Sequence, residues 1–544
     1  MTLHVNKDGI RSAVLDDAHV GHITGAFGTI LQHDAAPRKK WRHRLATLLA
    51  VLGPGLIVMV GDNDAGAFGT YTQAGQNYGT SLLWTLVLLI PVLYVNQEMV
   101  LRLGAVTGVG HARLIFERFG KFWGSFSVID LFLLNALTIV TEFIGISLAL
   151  DYLGLPKIAG VALSALLVMG AASTGNFRRF ERFSMVLVFG SLVLVPIFLM
   201  IHPPFGQIAH DLIVPQLPKQ GKLSDIMLLI IGIVGTTIAP WQLFFQQSYV
   251  IDKRITPRFM RYERADLWLG IVLVIIGAVA MMAFSAAAFE GRAGFGNFTD
   301  AGGVAVGLEA AAGRTAGVLF AIGLIDASLI GASAVSLATA YAIGDVFSVR
   351  HSLHRQVKDA KGFYAVYCGL IVLAAALVIT PNMPLGLLTN AVQALAGVLL
   401  PSATVFLLLL CNDRAVLGPW VNTRAANLFT GCVIAALVIL SVILTSSVLF
   451  PDQTDQKVIL AIMMGGGALA LVAALVSGVF RPRKVQEAKV DTFDRELEMW
   501  RMPPLSHLRP MALSQSTKIW MLVLRGYLVL AGGLVLVKII TLAI

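Results

Sequence analysis

The stretch LIVMVGDNDAGAFGTYTQAG, residues 56–75, breaks an apolar run with Asp62, Asn63 and Asp64, set between Gly61 and Gly66. An ionised carboxylate in hydrocarbon costs at least a few kcal/mol. Two of them at this spacing call for a positive partner. A second interruption, GIVGTTIAPWQLFFQQ, loses a backbone donor at Pro240 and loosens the preceding turn with Gly235, Thr236 and Thr237. Unwound backbone at membrane depth is tolerated where it lines a cavity, and there it offers carbonyl oxygens and helix ends. Gly and Pro often only kink membrane helices. The added acids turn the first break into a site, whereas the second, taken alone, is equally well a kink.

The rest of the chain places both breaks in a bilayer. Of 544 residues, 57% are apolar and 13% charged, with a mean hydropathy of +0.78. Soluble domains run at roughly 45–50% and about 25%. A bilayer core needs about 20 mostly apolar residues per helix. Spans are predicted at 46–79, 82–106, 124–153, 157–174, 183–202, 226–252, 264–290, 314–347, 362–381 and 386–411. Three more follow at 425–447, 457–480 and 517–543, the last carrying Arg525 in its apolar run. Lys and Arg number 41 against 31 acids, a net charge of +10. They collect in the loops after even-numbered spans, which favours a cytoplasmic N-terminus and a multi-pass protein of the cell membrane over a nucleic-acid binder. Cys368, Cys411 and Cys432 show no paired spacing, so neither a metal cluster nor a disulfide framework is expected. The polar start ends near PRKKWRHR, a juxtamembrane basic patch rather than a cleavable leader.

Interrupted helices in spans one and six mark two inverted five-helix repeats around a central ion or substrate site. The predicted layout is a tail over 1–45, a ten-helix transport core over 46–411 and two further helices over 412–480. A cytoplasmic linker over 481–515 and a final span over 516–544 complete it.

With these residues in hand, the chain resembles the NRAMP family of divalent-metal transporters. The resemblance rests on LGPGLIVMV, TQAGQNYGTSLLW, LRLGAVTG, EFIG, RYERADLWLGIVL and NAVQALAGVLLPSATVFLLLLCNDRAVLG, and covers spans one to ten and, more loosely, eleven. It implies an all-α, LeuT-like 5+5 inverted repeat with about three additional C-terminal helices. It implies alternating-access transport with the metal as cargo, no cofactor, and no partner beyond the ion and the lipid bilayer, compatible with a monomer.

The departures from the family pattern redirect the chemistry. Where the family has Asp-Pro-Gly-Asn, this chain has Asp64-Ala65-Gly66-Ala67; where it has Met-Pro-His, this chain has Ala239-Pro240-Trp241. The acid stays; an amide, a thioether and an imidazole are gone. Span three keeps Glu142 as a candidate proton acceptor but has Ile139 where the family's proton pathway has an aspartate, and span nine lacks that pathway's arginines. Gln393 falls where the family's glutamine closes on the metal. The pattern looks like the NRAMP-related magnesium transporters.

Asp64, Thr236, Gln393, neighbouring carbonyls and water make an all-oxygen site, with Asp62 as a further candidate ligand or as a lining of the ion's way in. Without a soft thioether such a site suits Mg²⁺, which prefers octahedral oxygen and gives up water reluctantly, with Mn²⁺ second. Ala67 and Ala239 leave room for the retained waters. Asn63 is expected to cap the outer half-helix or satisfy freed backbone, and Trp241 to fill the vacated imidazole space. The alternatives are a proton-coupled Mn²⁺/Fe²⁺ transporter and a sodium-coupled organic solute carrier on the same fold. No HExxH, Cys/His set or nucleophile elbow suggests an enzyme.

Overall fold

The computed structural model describes residues 13–34, 36–380, 385–450, 453–476, 498 and 500–511, with scattered positions from 515 to 537. Of the expected last span only scattered positions between 518 and 537 are described, and most of the linker before it lies outside the described residues. What is described is helical apart from one short hairpin, Ile23–Thr24 (β1) against Thr29–Ile30 (β2), paired Ile23 to Ile30.

The first crossing is broken twice. Trp41–Val51 (α1) and Pro54–Val60 (α2) meet at 52°, and Ala65–Tyr78 (α3) follows the acidic break. Only the second of these breaks was anticipated. The first arises because Pro54 cannot continue a helix from Leu52 and Gly53 turns through φ 154°. Leu83–Thr107 (α4), the short His111–Phe119 (α5), Lys121–Leu153 (α6), Lys157–Ala172 (α7), Phe177–Gly190 (α8) and Leu194–Ile201 (α9) complete the first repeat, α8 and α9 forming one crossing. After a short Phe205–Ile213 (α10), the second repeat opens with Leu223–Thr237 (α11) and Pro240–Asp252 (α12), split as expected at Ile238–Ala239. Met260–Phe289 (α13), Ala301–Ala312 (α14), Arg314–Phe347 (α15), Lys361–Ile379 (α16) and Leu385–Cys411 (α17) follow. A turn, Arg414–Leu417 (α18), leads to Arg424–Leu449 (α19) and Gln456–Val476 (α20). The short helices α5, α10 and α14 fall in segments expected to be loops; at 9 to 12 residues they carry too few apolar positions to have registered as spans.

Helices α6 and α15 form the most extensive pair. α15 carries the run GASAVSLATA, whose small side chains let backbones approach where no hydrophobic force drives helices together. α13 packs along both α2 and α3, while α12 packs on α2 and α11 on α3, so the two broken helices meet break to break.

Residues 13–34 of the predicted polar tail prove to be a docked strap. Arg254 donates to the Ala18 carbonyl at 2.9 and 2.7 Å and to that of His22 at 3.1 Å. Arg178 and Arg182 donate to the carbonyls of Gly25 and Ala26, each at 3.1 Å. Asp16 receives Arg355 at 2.7 Å and the His351 N–H at 3.0 Å. Beneath the strap, buried Lys253 pairs with Glu181 at 2.6 Å and donates to the Leu52 carbonyl at 2.7 Å, pinning the hinge before Gly53. Asp266 takes the freed N–H groups of Gly55 and Leu56 at 2.7 and 3.3 Å.

Three histidines meet where the strap docks: His19 of the strap itself, and His351 and His354 beneath it. Burial pulls the His351 imidazole down, but the Asp345 carboxylate, 2.9 Å from Nε2, outweighs it and holds the pKa at about 8. Burial keeps His19 and His354 below the ordinary value despite Asp252 nearby. The His351 proton therefore stabilises the folded loop that receives the strap, fully below its free pKa of 6.5, and that contribution, on the order of 2 kcal/mol, is lost as pH rises through about 8. Neutral His19 and His354 act in the opposite sense: their contribution is present above 6.5 and is lost as pH falls. Hydrogen-exchange protection of residues 13–34, corrected for intrinsic rates, should peak near neutral pH and fall on both sides. In His351→Gln the alkaline decline should vanish; an unchanged alkaline limb would remove His351 from the docking energetics.

Candidate functional site

The break between α2 and α3 is held by carboxylates. Asp64 is the N-cap of α3: its backbone is extended, and its Oδ1 accepts the Ala67 N–H at 2.9 Å. Glu142, on α6, accepts the Ala65 N–H at 3.2 Å and reaches the Asp64 carboxyl. Its other oxygen has no partner among the described residues. α15 makes space for this pair with Gly331, where a Cβ would stand 2.7 Å from Glu142 and 3.0 Å from the Asp64 Cβ.

Gln393 closes the opposite side from α17. Its amide lies over Gly66 so tightly that a Cβ there would overlap it, and Asp64 Oδ1 is 3.1 Å from the same point. α11 ends against Gln393: no side chain fits at Gly235, between the Gln393 carbonyl and Gly397. The neighbouring Thr236 keeps a buried hydroxyl with no partner among the described residues, whereas Thr237 bonds the Ile233 carbonyl at 2.6 Å and the Tyr71 hydroxyl at 2.7 Å. Ala67 and Ala239 are buried and bring no ligand atom. Trp241 is buried, edge-on to Phe245 at 6.1 Å.

One expectation needs correction. Asn63 does not cap α3; the cap is Asp64, and the Asn63 amide turns away to the Val274 carbonyl of α13 at 3.1 Å. Asp62 lies away from the small crevice beside Ala65 on the face opposite the strap. That crevice is walled by Ala65, Gly69, Thr141, Gly145, Asp300 and Thr389. Consecutive residues of unwound chain face different ways, and Asp62 points towards α12, where Gln242 donates to its Oδ1.

The structure thus gathers Asp64, Glu142, Gln393 and the end of α11 and sets Asp62 apart on the strap side. Among the described residues no Lys, Arg or His pairs with Asp62, Asp64 or Glu142. Three buried acids without a basic partner need positive charge from outside, as protons or as a cation. The amide that holds Asp62, Gln242, was missed, although it and Gln246 stand four apart in the quoted WQLFFQQ, on one face of a half-helix.

The model of the family described as Nramp, natural resistance-associated macrophage protein-like, matches residues 55–447. The chain belongs to the Nramp family. A divalent metal cation transporter MntH of Burkholderia ambifaria is 29% identical over 415 residues, 73% of this chain and 88% of that protein. Its namesake in Ralstonia nicotianae is 30% identical over 412 residues, 72% and 89% of the two chains. The crystal structure of an Eremococcus coleocola manganese transporter, in complex with an aromatic bis-isothiourea compound, superposes with a TM-score of 0.61 at 21% identity. It covers 82% of this chain and 96% of that one. Nramp proteins are membrane transporters rather than enzymes, and for them the metal is cargo and not a cofactor.

Because the missing Cβ of Gly66 is what lets Gln393 approach Asp64, Gly66→Ala should displace that amide. Overpacking of this kind costs about 1–3 kcal/mol, which a protein of this size survives. The expected outcome is normal insertion and monodispersity with loss of metal binding; unaltered binding by isothermal titration would dissociate Gln393 from the site.

Proposed function

We propose that this Nramp-type divalent metal cation transporter carries Mg²⁺, with Mn²⁺ as second substrate, into the cytoplasm by alternating access, and that it does so without a coupled proton. The observation that carries this reading is the oxygen-only wall: Asp64, the free Thr236 hydroxyl and the Gln393 amide, with Ala67 and Ala239 offering space in place of ligands. A hard ion that keeps part of its water shell fits such a site, whereas a soft thioether would favour Mn²⁺ and its neighbours. Asp64 is the principal anionic ligand. The strap face, where Arg178, Arg182, Arg254 and Arg355 collect, is the cytoplasmic one.

The absence of coupling rests on what surrounds Glu142. One turn along α6 towards the strap stands buried Ile139, and α16 contains no arginine. A proton displaced from Asp64 and Glu142 by the arriving cation has no onward relay and returns to the side it came from. The membrane potential supplies about 2.3 kcal/mol per charge per 100 mV, so roughly 4.6 for a divalent ion, enough to drive uptake alone. A proton-coupled Mn²⁺ transporter is the competing reading, favoured by the contact between Glu142 and Asp64.

Uptake by proteoliposomes tests both. Asp64→Ala should abolish Mg²⁺ and Mn²⁺ uptake in a protein that still folds; wild-type uptake would remove the site. Ala67→Asn combined with Ala239→Met should raise preference for Mn²⁺ over Mg²⁺ by about tenfold; unchanged competition would place selectivity elsewhere. With the potential clamped, Mg²⁺ uptake should leave lumenal pH at the level of empty vesicles, and metal-dependent acidification would establish the coupled reading instead.

A further inference from the structure

Asp62 is nearly fully buried, yet one of its carboxylate oxygens has no partner among the described residues. The other oxygen accepts from Gln242, whose own carbonyl oxygen accepts from Gln97 on α4 at 2.8 Å. The Gln97 carbonyl oxygen is again without a partner. One turn further along α12, Gln246 is fully buried with neither its oxygen nor its nitrogen engaged. A buried amide that leaves both groups unused is unusual, because each lost hydrogen bond is costly away from water. Here such groups lie in sequence, from the end of α2 along one face of α12 towards Lys253 and the strap.

A purely structural role does not call for this arrangement. A carboxylate needed only to fill space would be replaced by an apolar side chain at no loss, and Gln246 likewise. What the column does offer is oxygen: one anionic ligand and two free amide carbonyls, with amide nitrogens that can release them. This is suited to a hard divalent cation retaining much of its water, held by one carboxylate and by hydrogen bonds through that water.

We infer that Asp62, with Gln97, Gln242 and Gln246, forms a second cation station on the strap side of the Asp64 site, occupied after the ion leaves Asp64 and before it reaches the cytoplasm. The inference rests on the reading of Asp64 as the principal ligand. In the closed arrangement Gln242 holds the Asp62 carboxylate as a stand-in for the ion. When the ion steps down, Gln242 rotates away and turns its oxygen inward. Gln246 then receives the hydrated ion one turn lower.

The test is Mn²⁺ binding to the purified full-length protein, read from the loss of the free-ion signal in electron paramagnetic resonance. Asp64→Asn should leave a weaker but saturable site, and the double change Asp62→Asn with Asp64→Asn should remove it. Adding Gln242→Glu to Asp64→Asn places a second carboxylate at the station and should tighten the residual site by about tenfold. A mere packing contact would gain no metal affinity from that change. Asp62→Asn alone, isosteric and checked for monodispersity, should slow Mn²⁺ uptake by about tenfold while the affinity of the Asp64 site stays within about twofold. Identical binding by the single Asp64 variant and the double variant, with no gain from Gln242→Glu, would overturn the inference. Wild-type uptake by Asp62→Asn would do the same. Full-strength binding by Asp64→Asn would instead defeat the assignment of the principal site, a distinguishable result.

Discussion

A helix broken inside a membrane leaves N–H groups that hydrocarbon cannot satisfy, and this chain gives them to carboxylates. Asp64 takes the N–H of Ala67, Glu142 that of Ala65, and Asp266 those of Gly55 and Leu56. The architecture around the breaks follows from that. α6, α13 and α15 have to stand where their acids or their gaps reach the unwound backbone, and Gly331 is the gap that lets two carboxyls share one place. The same groups that hold the backbone are the ones a cation would seek. Structure and cargo therefore compete for the same lone pairs, which lets the arrival of an ion alter how the half-helices are tied.

The coarse plan of the molecule was legible in the sequence because hydrophobic length is a strong signal. α15 appears at the bounds expected of it, and α17 differs by one residue at its start. Both functional breaks, at Gly61–Gly66 and at Ala239–Pro240, were visible because Gly, Pro and acids are rare in such runs. What was not legible depends on partners distant in sequence. The hinge at Gly53 needed Glu181 and Lys253 to explain it. The direction of Asn63 is set by a carbonyl on α13, 211 residues away. The strap looked like a polar tail because its partners are arginines scattered from Arg178 to Arg355.

Within the site, Asp64 and Gln393 could be placed by family pattern, and the structure brings both to Gly66. The separation of Asp62 from Asp64 could not be read that way, because the family pattern has no acid two residues earlier. Only the path of the unwound chain shows that the two face different helices. In the proposed passage, neighbours in sequence serve different stages.

Besides the Asp16 carboxylate, the strap is held largely by its own backbone: the carbonyls of Ala18, His22, Gly25 and Ala26 accept from arginines beneath it. A peptide recognised through its main chain presents the same oxygens whatever side chains it bears. Away from Asp16, His19 and the glycines packed on Ala50 and Arg254, substitutions along the strap can therefore accumulate without loosening it, while the arginines beneath it have to stay. Among relatives with such a strap, the text of the segment should drift and its address, written in the membrane core, should stay the same.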